Sequence, residues 1–143
     1  MKEKYLDVTR EAGAALFARN IKGEILMLNL LRFREVANYS SFPDIRPSRP
    51  ISGAEAYQKY IDHTLPFLKE SGGSLELLGK GGKYLIGPQD EPWDLVMLVR
   101  QHSLADFMAF SKNEAYLAGL GHRTAALEDS RLLPLVETES VAG

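Results

Sequence analysis

Cysteine is absent from the 143-residue sequence. Disulfides, thiolate nucleophiles and cysteine-based zinc or iron–sulfur centres are therefore excluded. No hydrophobic run is long enough to cross a bilayer, because the longest, Ile25 to Leu31, is only a third of the length required. An excess of positive charge is also missing. The net charge is −2, which argues against nucleic acid as the main partner. Met1-Lys-Glu-Lys4 is followed by no apolar signal core, and Asp7, Arg10 and Glu11 interrupt the next stretch. The expectation is a cytoplasmic protein with no membrane partner. Gly-x-Ser-x-Gly does not occur, which disfavours a hydrolase of that kind. Gly79-Lys-Gly-Gly82 is glycine-rich but lacks the spacing and the Lys-Ser/Thr ending of a P-loop.

What is present reads as one domain over 1–143, a size that buries roughly 70% of its unfolded surface without a metal or disulfide staple. Its centre is Glu24 to Arg34, a strand apolar on both faces. Ile25, Met27, Asn29, Leu31 and Phe33 occupy one face, and Leu26, Leu28, Leu30 and Arg32 the other. Before it, helical spacing predicts an N-terminal helix over 7–20, capped by Asp7 or Thr9 and closed near Gly23. After it, residues 35–52 read as an extended loop that Tyr39 and Phe42 could anchor, with three prolines and three serines between Glu35 and Pro50. Ser52-Gly-Ala-Glu55 is a capping box that opens a helix with a stripe of Ala56, Tyr57, Tyr60, Ile61, Thr64, Leu65 and Leu68. Pro66 is expected to kink that helix or to split off its last turn, and Gly72-Gly73 to end it.

Ser74 to Leu78 predicts a strand, resumed over Lys83 to Gly87 after the glycines, as a bulged strand or a hairpin. Trp93 to Gln101 predicts a second strand apolar on both faces. Ser103-Leu-Ala-Asp106 caps a helical region interrupted near Asn113 and continuing through Leu127. Asp129-Ser130 is read as a turn into a last strand, Arg131 to Glu137.

From residue 24 to 137 the order is strand, helix, strand, strand, helix, strand. That order predicts an α+β fold of ferredoxin-like βαββαβ topology, an antiparallel sheet with both crossover helices on one side. The other side is then bare, although two of its strands are apolar there. Monomers rarely expose so large an apolar surface. The short N-terminal helix is too small to cover four strands, so a second copy of the chain, meeting sheet face to sheet face, is the expected cover.

Taken in order, several segments resemble a family of dimeric α+β-barrel proteins, domain of unknown function 1330. They are Met27-Leu-Asn-Leu-Leu-Arg-Phe-Arg34, Ile51-Ser-Gly-Ala-Glu-Ala-Tyr-Gln-Lys-Tyr60, Gly72-Gly73, Trp93-Asp-Leu-Val-Met-Leu-Val-Arg100, Phe107, the helix with Tyr116, and Ala126-Leu-Glu-Asp-Ser-Arg-Leu132. Asp7-Val-Thr-Arg-Glu11 extends the likeness to longer members. The resemblance implies a homodimer whose two sheets close a barrel, and it implies no particular chemistry. The wider superfamily includes cofactor-free oxygenases, lactone isomerases, haem-degrading enzymes and non-enzymatic binders. No motif here places their catalytic residues, and fold does not settle function.

The residues with site-forming chemistry are few. Asn29 is an amide inside a doubly apolar strand and could hold a carbonyl or phenol, or simply bond to neighbouring backbone. Arg32, Arg34 and Arg100 stand near strand ends and suit a carboxylate, with salt bridges to Asp94, Glu35 or Asp129 as the structural alternative. His63 follows Asp62 beside the buried stripe, and histidine works as an acid or base near neutral pH. Tyr57, Tyr60, Tyr116 and Trp93 suit a flat apolar ligand and equally suit a core. His102 and His122 read as surface residues. Three scattered histidines make no metal site, and no cofactor is expected.

Two functions fit. One is a cofactor-free enzyme that oxidises or isomerises a ring compound in an apolar cleft, with Asn29, Arg32, Arg100, Tyr57 and His63 as its polar groups. The other is a non-catalytic dimer that binds a small apolar or aromatic metabolite, or one that is purely structural.

Overall fold

The computed structural model describes residues 3–142. Helix α1 covers Arg10–Ala18, strand β1 Ile25–Phe33, helix α2 Gly53–Glu70, strand β2 Ser74–Lys80 and strand β3 Leu95–Gln101. Three short helices follow, α3 (Leu104–Ser111), α4 (Glu114–Leu117) and α5 (Leu120–Ala126), and strand β4 (Leu127–Leu135) completes the fold. A 3-10 turn at Pro43–Ile45 interrupts the connection from β1 to α2.

The strands form one sheet in the order β2-β3-β1-β4, with every neighbouring pair antiparallel. This is the split βαβ arrangement, in which β3 lies between the two strands joined through α2. Local chemistry sets the element ends. Thr9 Oγ1 accepts from the Ala12 amide at the start of α1. At α2 the capping box is complete, with Ser52 Oγ accepting from the Glu55 amide at 3.0 Å and Glu55 Oε1 from the Ser52 amide at 3.1 Å. Gly72, at φ +86°, takes the left-handed conformation that ends α2.

Four segments differ from the sequence-based expectation. Residues 83–87 form no strand. The stem of the β2–β3 connection is closed by Gly81 N–H to Asp94 O and Trp93 N–H to Gly82 O, and beyond it the chain is loop. Strand β3 begins at Leu95, because Trp93 and Asp94 belong to that stem. Strand β4 begins at Leu127, four residues early, since Leu127 pairs with Phe33 across a register shift. Asp129 and Ser130 therefore lie inside β4 opposite Arg32 and Leu31, rather than at a turn. Helix α2 also runs unbroken through Pro66.

Strand alternation gives the sheet two distinct faces. One carries Ile25, Met27, Leu31, Met97 and Val99. These join Tyr57, Tyr60, Ile61 and Leu68 of α2 and Ala125 and Ala126 of α5 in one buried cluster. Leu6, Leu16 and Ile21 from the N-terminal segment pack against the same cluster, so α1 lies on the helix side. The register places Leu28, Leu30, Val96, Leu98 and Leu133 together on the opposite face. There Leu133 is 56% exposed, and Leu77 beside Leu98 is 54% exposed.

Candidate functional site

Between the N-terminal end of α2 and the ends of β1, β2 and β3 the helix side opens into a cleft of about 530 Å³, a volume that suits a small organic ligand. Phe33, Tyr57, Ile61, Leu78 and Leu95 supply its apolar walls, while Arg34, Glu35, Gln58, Lys80 and Asp94 supply polar groups. The register sets Leu31 opposite Leu95, and Phe33 and Asp94 just beyond that pair line the cleft. The Phe33 and Tyr57 rings stand 5.4 Å apart and are tilted by 39°. Asp94 is spent on the backbone, its Oδ2 accepting from Phe33 N–H at 2.8 Å. Arg34 reaches Glu128 at 3.5 Å, while its Nε is buried without a hydrogen-bond partner.

Tyr57 is 1% exposed. Burial, reinforced by Tyr60 and opposed by Arg123, raises its pKa far above the usual phenol range. It therefore remains neutral. Behind it, Tyr60 packs 5.3 Å from Tyr57, and its hydroxyl lies 2.8 Å from that of Tyr116. Burial likewise raises Tyr116.

Of the residues singled out from sequence, Tyr57 and Arg34 line this cleft, while Asn29, His63, Arg32, Trp93 and Arg100 lie elsewhere. Asn29 faces the helix side at mid-strand, and its Nδ2 donates to Met27 O at 3.2 Å and Met97 O at 3.3 Å. His63 Nε2 donates to Ala115 O at 2.8 Å, which ties α2 to α4, and its ring packs 5.3 Å from Phe67. The other three stand on the opposite face, at its two ends. Arg32 donates through Nε to Pro92 O at 2.9 Å and lies 3.9 Å from Asp129. Trp93, 2% exposed, is flanked by the guanidinium groups of Arg32 and Arg131 at 4.9 and 5.1 Å from its ring. At the far end Arg100 bonds Glu76 at 2.7 Å, Glu24 at 3.0 Å and Glu137 at 3.3 Å, and these partners raise its pKa.

The sequence reading missed Phe33, Leu78, Lys80 and Leu95 as neighbours in a cleft. The usable signal was positional, since each sits at or near the end of a strand. His122, expected at the surface, is half-buried and pairs with buried Tyr39 at 2.6 Å. Among the described residues, no group of three histidine, aspartate or glutamate side chains is placed to hold a metal ion. None of the described helices is long and apolar enough to cross a membrane.

Sheet order, helix placement and cleft together define a ferredoxin-like α+β protein. A dabb family protein with a ferredoxin-like fold from Mesorhizobium loti shares the fold at TM-score 0.50 and 11% identity, over 82% of this chain and 99% of that one. A much nearer likeness is to the RPA0582 protein of Rhodopseudomonas palustris, described as a protein of unknown function. It matches at 36% identity and TM-score 0.84, over 96% of this chain and all of that one. The methylated form of RPA0582 matches at 38% identity and TM-score 0.84, over 96% of this chain and 98% of that one. The chain belongs to the RPA0582 family. No protein-family model and no curated protein matches it.

Proposed function

We propose that this chain works as a homodimeric α+β barrel of the domain of unknown function 1330 type, and that each protomer binds a small apolar or aromatic metabolite in the cleft beside Tyr57. The observation that carries the assembly is the sheet face turned away from the helices. Leu28, Leu30, Val96, Leu98, Leu77 and Leu133 form an apolar band across it. The Arg100 carboxylate cluster closes one end and the Arg32–Trp93–Arg131 cluster the other. An apolar centre with a charged rim is the anatomy of a protein interface. With α1 packed on the helix side, a second sheet is the natural cover.

The cleft favours binding over turnover. Its buried wall residue, Tyr57, is held neutral by burial and supplies no base. Phe33 presents its ring to a flat ligand, with the buried Tyr57 ring packed behind it.

Native mass spectrometry of the protein as purified tests both parts. A dimer carrying extra mass supports the assembly and supplies the ligand for identification. A dimer of bare mass supports the assembly and passes the cleft to a dye-binding titration. A monomer at all concentrations overturns the assembly.

A further inference from the structure

The β2–β3 connection, residues 81–94, is unusually well tied for a loop. Besides its two stem bonds, Tyr84 Oη donates to Glu91 Oε2 at 2.8 Å and accepts from Trp93 Nε1 at 2.7 Å. Gln89 Nε2 donates to Tyr84 O at 3.0 Å, and the Glu91 amide donates to Pro88 O at 3.3 Å. The base is clamped to the sheet, where Arg131 reaches Glu91 at 3.3 Å and packs over Trp93 beside Arg32. From this fixed base the chain presents Leu85 and Ile86 to solvent, at 99% and 92% exposure. Gly87, at φ +152°, turns the chain back, and a Cβ there would meet the Tyr84 ring within 3 Å.

We propose that Leu85 and Ile86 form a hook that docks on a second copy of this chain, each protomer of the dimer gripping the other. This rests on the homodimer reading above and specifies part of its interface. Full burial of such a side chain is strongly favourable. Two adjacent ones held fully in water by a rigid loop forgo that gain unless something receives them. The position of the hook selects the receiver. Arg32 and Arg131 lie on the leucine-band side of the sheet, so a loop clamped to them rises at the rim of that band.

Area points the same way. Four strands about 4.8 Å apart and about seven residues long at ~3.3 Å each give a face of roughly 440 Å² in projection. A stable interface of ordinary size hides about 800 Å² on each partner. Side-chain relief makes the accessible area of the face larger than this projection, and apolar contact at its rim extends it toward that size. In a two-fold dimer every contact occurs twice, so one hook per chain adds two.

The test uses Leu85→Asp/Ile86→Asp in sedimentation equilibrium beside the wild type. Because both side chains lie in solvent, the fold is expected to survive, with an unchanged circular dichroism spectrum. The dimer dissociation constant is expected to rise at least tenfold. The absence of cysteine permits a second readout. Ile86→Cys carrying an environment-sensitive fluorophore is expected to shift to shorter wavelength as the protein dimerises, in step with the measured mass. A dimeric wild type, an unchanged constant in the double variant and a label that stays in water overturn the hook alone. A monomeric wild type overturns the homodimer reading, and the hook with it.

Discussion

The Tyr39 hydroxyl lies 2.6 Å from His122 Nδ1, and this bond pins the long β1–α2 connection onto α5. Burial raises the Tyr39 pKa. Burial, with help from Lys59 and His63, lowers that of His122. Both groups are then neutral at pH 7, so the hydroxyl donates to an unprotonated Nδ1. A histidine with a depressed folded pKa takes up its proton more readily when unfolded. Its contribution to stability is therefore complete above the unfolded value of about 6.5 and declines as pH falls through that value toward the folded one. The melting temperature of the wild type is expected to drop on acidification from pH 7 to 5.5. In His122→Gln that part of the slope is expected to be missing. Equal slopes in the two proteins would remove His122 as the cause.

Gly53 sits where three segments meet. Its amide donates to Arg34 O at 3.0 Å, and the Arg34 amide donates to Ala126 O at 2.8 Å. A Cβ at this position would come within 2.7 Å of Ala126 O and closer still to Arg34 O. Both obstacles are backbone, and backbone cannot rotate away. Gly53→Ala is expected to destabilise the protein by about 2–3 kcal/mol, near the upper end for overpacking, in urea unfolding. At an ordinary position the same change in the first turn of a helix would be mildly favourable, so a stabilised variant would refute the close approach.

Asp129 ties the N-terminal segment to β4. Its Oδ1 accepts from the Tyr5 amide at 2.9 Å, the Ser130 amide at 2.9 Å and Arg131 Nη1 at 2.7 Å. Burial works to raise its pKa, but the bonds from Tyr5, Arg131 and Ser130 prevail and hold it below the ordinary carboxylate range. The stabilisation is present above the unfolded value of about 3.9 and is lost as pH falls through the folded one. Asp129→Asn weakens every one of these bonds. The expected cost is about 2 kcal/mol, with faster amide exchange at Tyr5, where the N-terminal segment runs along β4. Unaltered exchange at Tyr5 would show that the segment is held by other contacts.

The cleft makes a separate prediction. Ala54 lines it from the first turn of α2 and is itself exposed. Ala54→Trp fills the space without entering the core. The affinity for 1-anilinonaphthalene-8-sulfonate, an aromatic anion used as a probe, is expected to fall at least tenfold while the melting temperature stays within 2 °C. Undiminished dye binding would place the dye elsewhere.

Local rules carried much of the fold into the sequence. Caps at Ser52 and Ser103, the glycine after α2 and the doubly apolar strands around Leu28 and Leu98 are each written in a few adjacent residues. The failures are non-local. Asp129-Ser130 has turn chemistry, but its polar groups are taken by Tyr5, more than 120 residues away. Tyr84-Leu-Ile86 has strand composition, yet bonds from Glu91 and Trp93 hold it as a loop tip. The site was less legible for a related reason. Alternation reveals which side of a strand is inside only when one side is polar. In β1 and β3 it was nearly silent, so Asn29 and Arg32 could be placed on opposite faces but not assigned to the helix side or the bare side.

Leu133 decides whether the exposed sheet face is an interface. It projects from edge strand β4 opposite Leu28 and is 56% exposed. A carboxylate there meets water in a monomer, so Leu133→Asp is expected to cost the isolated fold less than about 1 kcal/mol. In the proposed dimer the same group would enter an apolar band, twice by symmetry, and an unpaired buried charge costs several kcal/mol. The variant is therefore expected to sediment as a folded monomer at concentrations where the wild type is dimeric, with at least a hundredfold weaker association. The contrast with the hook variant is informative. Damage at the centre of an interface abolishes association, and damage at its rim weakens it. Leu133→Asp remaining dimeric with wild-type affinity would mean that the two copies meet through another surface.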